Sequence, residues 1–136
     1  MVLSGDEIRI ALANGQLVID PLPASDAIKT SAVDLTLGDD FRRWRLPGQD
    51  VPGFVNRVDP SLEQFSFQRL AVLLETAPAE TDGSVLLEPG AFLLGVTREN
   101  VELPIQSRLA ARVEGRSSIA RMGVGVHMTA PTIHAG

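Results

Sequence analysis

The chain has 136 residues, a formal charge of −5, no cysteine and 44% hydrophobic residues. Its length suits one domain, and clustered Val, Ile and Leu with only 21% charged residues argue against disorder. Zero cysteine excludes a disulfide scaffold, thiol catalysis and Cys-ligated zinc, and no apolar run approaches the ~18 residues of a membrane span.

The opening residues Met1 to Glu7 lack the basic start and apolar stretch of a secretory leader, so a cytoplasmic protein is expected. An acidic balance argues against broad binding to nucleic acid or anionic lipid. Aromatics at 4% leave no stacking platform for bases. Eleven of the twelve basic residues are Arg, Lys29 being the exception. Because a guanidinium fork suits phosphate and carboxylate, two roles stay open: surface solvation and capture of one small anion.

Ser4-Gly5-Asp6-Glu7 reads as a capping box, opening a short helix with Ile8, Ala11 and Leu12 on one face and Asn14-Gly15 as its stop. Leu17 to Ile19 predicts a short strand closed by Asp20-Pro21. Val33, Leu35 and Leu37 alternate with Asp34 and Thr36, predicting a strand with one buried face. Gly38-Asp39-Asp40 then predicts a turn, with a return strand over Phe41 to Leu46. Residues 47 to 84 read as loops with short strands. Leu86-Leu87 and Phe92 to Thr97 flank a turn at Glu88-Pro89-Gly90. Arg98-Glu99-Asn100 turns the chain again, before a strand over Leu109 to Val113. Many short strands separated by turns predict a mainly β sandwich or barrel.

The densest polar cluster, Glu114 to Arg121, follows that last strand. Ser117, Ser118 and the N–H groups of a short turn can cradle an anion, with Arg116 and Arg121 adding charge-assisted contacts. The plain alternative is a helix capped by Ser117 or Ser118, with both arginines solvated. His127 and His134 lack a third ligand and read as structural rather than metal-binding. Asp34 reads as a half-buried, hydrogen-bonded structural residue. In strand alternation Arg42, Arg43 and Arg45 divide between faces, which favours a solvated hairpin or a subunit contact over a nucleic-acid patch.

Five segments in the same order resemble the dCTP deaminase branch of the dUTPase-like superfamily: Leu3 to Pro21, Ser31 to Gly38, Leu87 to Phe92 with Val101 to Pro104, Glu114 to Gly123, and Val126 to Ala130. The resemblance implies a distorted dUTPase-like β-barrel with a short N-terminal helix, one domain over 1–136, assembled as a homotrimer with shared sites. It implies deamination of dCTP to dUTP and ammonia, supplying pyrimidine deoxynucleotide metabolism, with Mg²⁺ carried by the triphosphate and no zinc. Arg116 and Ser118 would hold phosphates, Ser117 would position the attacking water, and Arg121 would enter the cytosine pocket. Thr129 and Ala130 would face the base, in a segment that related enzymes use to respond to dTTP. His134 stands where the family usually has an aspartate near the sugar, and it brings no fixed negative charge. The catalytic glutamate of the family is expected on a strand beyond Gly136, so the chain is expected to be a domain cut short. Two other activities stay open: a dUTPase or bifunctional deaminase–diphosphatase, and a non-catalytic nucleotide-binding trimer or inactive fragment.

Overall fold

The first helix starts where the sequence predicts. The Ser4 hydroxyl oxygen accepts from the Glu7 N–H at 3.3 Å, and the Glu7 carboxylate accepts from the Ser4 N–H at 2.7 Å. Two end groups that a helix otherwise leaves unpaired are thereby satisfied. The computed structural model describes residues 2–45, 59–61, 65–127 and 130–136, Arg69 by its backbone only. In chain order the elements are α1 (Gly5–Ala13), β1 (Val18–Asp20), β2 (Leu37–Trp44), α2 (Phe67–Leu70), β3 (Leu74–Thr76), β4 (Leu94–Thr97), β5 (Asn100–Glu102), β6 (Ala111–Arg112), α3 (Ser117–Ala120) and β7 (Thr132–Ile133). They fall into two units, one built from the chain up to Thr36 and from Thr97–Gly136, the other from Leu37–Val96.

In the first unit, α1 buries Ile8 and Ala11, the face its spacing predicts. Asn14 caps its end, and Gly15 leaves with φ of 67°, a conformation that glycine adopts without strain. β1 pairs antiparallel with β5, Ile19 opposite Val101, and β6 pairs antiparallel with β7, Ala111 opposite Ile133. Ile8, Ala11, Leu17, Ile19 and Leu103 form the buried core, and Ile28, Val33, Val101 and Ile133 pack on it. Between α1 and β2 the chain makes a tight hairpin. The Asp34 N–H donates to the Ala27 carbonyl at 2.9 Å, the Lys29 N–H donates to the Ala32 carbonyl at 2.8 Å, and Ile28 bridges Val33. The hairpin tip docks on the start of α1, where the Gly5 N–H donates to the Thr30 carbonyl at 2.7 Å.

That hairpin corrects the strand predicted over Val33 to Leu37. Only Val33 packs on the core, while Leu35 and Leu37 are 37% and 63% exposed. The local pairing takes the Asp34 N–H, and the Glu99 carboxylate takes the Thr36 N–H at 2.9 Å, so this stretch has other hydrogen-bond partners than a sheet ladder. The turn predicted at Gly38-Asp39-Asp40 is likewise replaced by the first half of β2. On an exposed strand face an aspartate needs no turn to be satisfied, and Asp40 pairs with Arg42 at 3.2 Å.

In the second unit β2 lies between β3 and β4. Arg43 stands opposite Glu75, and their side chains pair at 2.9 Å. Arg42 and Arg43 therefore leave on opposite faces, as alternation requires. The Phe41 ring lies against Gly95, where an added Cβ would sit 3.0 Å from it, which explains a glycine inside a strand. The Leu86-Leu87 strand does not form: those residues lie in irregular, exposed chain, and Pro89 and Gly90 turn it soon afterwards. The short helix α2 arises in a region that reads only as loops and strands. Leu46 to Gly48, at the end of the predicted return strand, lie outside the described residues.

The fold is thus mainly β, with short antiparallel ladders and the short N-terminal helix that the sequence predicts. Among the described residues the strands form separate two- and three-stranded sheets rather than one closed barrel. No helix among them is long and apolar enough to cross a membrane.

Candidate functional site

The β6–β7 ladder sets out the polar cluster. Beyond its last register pair, the Val113 N–H donates to the Pro131 carbonyl at 2.8 Å. The chain leaving β6 therefore turns through Glu114 and Gly115 into α3 at the ladder end where Ala130 enters β7. Arg116 is the extended residue before α3, and its carbonyl accepts from the Ile119 and Ala120 N–H groups at 3.0 Å. Arg121 closes the turn, its N–H donating to the Ser117 carbonyl at 3.0 Å. Neither serine caps α3 as the plain alternative holds; Arg116 occupies that position without a side-chain cap bond.

One turn therefore gathers Arg116, Ser117, Ser118 and Arg121, all exposed, with Ile119 half-buried behind them. Gly115 is needed for packing rather than for an unusual dihedral. A Cβ there would come within 2.9 Å of Val126 Cγ2, so the segment returning from α3 closes over the glycine and carries the half-buried His127 with it. Thr129 lies outside the described residues. His134 lies three residues past Pro131, on the order of 10 Å along an extended chain. Ile133 and Ala135 pack on the core, while Thr132 and His134 are exposed.

Sequence reasoning misses the partner of Arg116. Its Nη2 donates to Asp34 Oδ2, from a residue 82 positions earlier. Lys29 Nζ stands 3.6 Å from the same oxygen and itself donates to the Asp26 carbonyl. The Arg116 hydrogen bond, and next to it the charges of Arg116 and Lys29, hold the Asp34 carboxyl below its ordinary range, with desolvation opposing. A half-buried, hydrogen-bonded aspartate is what the sequence predicts here; nothing in the local sequence names a partner so distant. A shallow depression beside Ser4, Gly5, Arg9 and Lys29 offers less chemistry, because the Ser4 and Gly5 N–H groups are already bonded internally.

Hydroxyls and guanidinium groups lie together on one exposed turn beside a small antiparallel ladder of a mainly β protein, a set of donors suited to an anion. The sequence matches the dCTP deaminase-like family over residues 2–136, and the chain belongs to that family. It is 40% identical to the dCTP deaminase of Rhodospirillum rubrum over 137 residues, which cover 100% of this chain and 66% of that protein. It is 37% identical to the "dCTP deaminase, dUMP-forming" of Methanosphaera stadtmanae, covering 99% of this chain and 62% of that protein. With the enzyme of the same description from Dictyoglomus thermophilum the identity is 39%, covering 100% and 64%. The chain thus spans less than two thirds of the length of each of these three relatives.

Proposed function

We propose that this chain provides the phosphate- and base-binding part of a dCTP deaminase, which converts dCTP to dUTP and ammonia. The observation that carries the reading is the single exposed turn joining Arg116, Ser117, Ser118 and Arg121, together with the family membership. Arg116 and Ser118 bind the triphosphate through charge-assisted and hydroxyl hydrogen bonds. Ser117 orients the water that attacks cytosine C4, Arg121 contacts the base, and Thr129 and Ala130 present backbone groups to it. As the water oxygen bonds to C4, a proton reaches the exocyclic nitrogen and ammonia leaves. General-base work needs a group within reach of that water, and no carboxylate of this chain is assigned to it. Mg²⁺ belongs on the triphosphate, whose oxygens suit it; the guanidinium and hydroxyl groups of the turn suit the anion that carries the metal.

Two further parts of the reading concern assembly. In the second unit, Ala77 is the single buried hydrophobic among the described residues, whereas Leu37, Phe67, Val72, Leu86 and Val96 are each more than half exposed. Apolar surface on that scale calls for a partner, and a homotrimer supplies it. Sites shared between neighbouring copies belong to the same reading. The expected compartment is the cytoplasm, and dTTP is the expected regulator.

Incubation with dCTP and Mg²⁺, followed by chromatography and ammonia detection, tests the reading. Ammonia with dUTP supports it. Ammonia with dUMP and pyrophosphate supports the second reading, a bifunctional enzyme, which the description of two relatives as dUMP-forming favours. Nucleotide binding without either product points to a non-catalytic module.

A further inference from the structure

We propose that Asp34 is the positioning residue for Arg116, holding its guanidinium from the hairpin so that the remaining N–H donors are presented to the nucleotide phosphates. The inference rests on the phosphate role given to Arg116 above. Three observations carry it.

The carboxylate is fixed while the guanidinium is reachable. The Asp34 backbone is tied to Ala27, its neighbour Val33 packs on the core, and the hairpin tip is bonded to the start of α1. The Asp34 side chain is 30% exposed against 63% for Arg116. A guanidinium has five N–H donors, and the contact with Asp34 is made from Nη2, so the group retains donors for an anion after the pair has formed.

The local charge also favours an anion. One carboxylate stands between Arg116 and Lys29, and Lys29 is itself held by the Asp26 carbonyl. The cluster keeps a net positive charge. Lastly, an exposed arginine loses side-chain freedom when it closes on a phosphate. A carboxylate that already restrains it removes part of that loss before the ligand arrives.

The opposite role would have Asp34 compete with phosphate for the guanidinium, and a purely structural role would have the pair only staple the hairpin to α3. A double-mutant cycle separates all three. Calorimetric titration with dCTP and Mg²⁺, and separately with inorganic triphosphate, is run on the wild type, Asp34→Asn, Arg116→Ala and the double variant, each with a melting curve. Positioning predicts that Asp34→Asn weakens both ligands about 5- to 20-fold and Arg116→Ala about 10- to 100-fold. It further predicts that the double variant binds no more weakly than Arg116→Ala alone. Tighter binding by Asp34→Asn overturns the proposal in favour of competition. An Asp34→Asn variant that melts lower than wild type but binds both ligands like wild type overturns it in favour of the staple, and an Asp34→Asn effect on binding that persists in full on the Arg116→Ala background overturns it because Asp34 then acts without Arg116. An Arg116→Ala variant that binds like wild type refutes the phosphate role itself, and the proposal falls with it. If Asp34→Asn does not fold, Asp34→Glu, which keeps the charge but changes the reach, replaces it in the same cycle under the same criteria.

Discussion

Gly5 offers a test in which helix propensity and packing predict opposite signs. Replacing glycine by alanine inside a helix ordinarily stabilises by about 1 kcal/mol. Here an added Cβ would run into the Lys29 carbonyl oxygen and lie 3.3 Å from Arg9 Nη1. The carbonyl belongs to backbone that the Lys29–Ala32 hydrogen bond holds at 2.8 Å, so it yields only if the hairpin moves off the helix. That movement breaks the 2.7 Å bond from the Gly5 N–H to Thr30, at about 1 kcal/mol, and the overpacking costs about 2 kcal/mol more. Set against the propensity gain, Gly5→Ala is destabilising by about 2 kcal/mol, or about 8 °C in Tm for a domain of this size. Thermal unfolding followed by circular dichroism at the helical band measures it. Gly15→Ala is the control: φ is 67° and no atom lies within 4 Å of its Cβ, so it loses about 1 kcal/mol from backbone strain alone. A Gly5→Ala protein that melts at or above wild type refutes the packing of α1 against the hairpin.

Ser4→Ala removes the hydroxyl of the capping box and is expected to cost about 1 kcal/mol in a denaturant titration, and an unchanged midpoint would contradict the cap. Glu7, Asp34 and Glu99 are all held below their ordinary carboxylate values, chiefly by hydrogen bonds from Ser4, Arg116 and Thr36 in turn. Their stabilisation is therefore complete above the unfolded pKa and lost as the pH falls through the folded one. Tm should hold from neutrality to the carboxylate range and drop below about pH 4, with a shallower drop in Glu99→Gln; a Tm that rises into acid contradicts the sign. Arg116→Ala is expected to weaken dCTP binding about 10- to 100-fold, whereas Ser117→Ala is expected to leave binding within a few-fold and to lower turnover about 100-fold; steady-state kinetics with calorimetry distinguish them. If sites are shared between copies, co-expressed Arg116→Ala and His134→Ala chains should regain about one quarter of the wild-type sites by random assembly, and a mixture no better than its components argues for a site within one chain.

Local signals were legible where their physics is local. The capping box, the α1 face, the Asn14-Gly15 stop and the turn at Pro89-Gly90 each depend on residues within a few positions of one another. The Val33–Leu37 stretch misleads for the converse reason. Alternation reports which side chains favour burial, yet the Thr36 N–H pairs with a carboxylate 63 residues away, and no local pattern encodes that. The same holds for Gly38-Asp39-Asp40, whose residues suit a turn but lie in a strand that tolerates polar side chains on its exposed face.

The site divides along the same line. Arg116, Ser117, Ser118 and Arg121 were legible because six consecutive positions on one turn must lie together whatever the rest of the chain does. Asp34 and Arg116 meet only because two separate ladders and a hairpin share one core. Asp34 sits beside Val33, and β6 carries Ala111; both Val33 and Ala111 pack against the cluster around Ile8 and Leu103. The contact that restrains the arginine is thus a consequence of core packing, transmitted through the two backbones that leave that core. A substitution at Ile8 or Leu103, far from the turn, is therefore expected to loosen the pairing of Asp34 with Arg116.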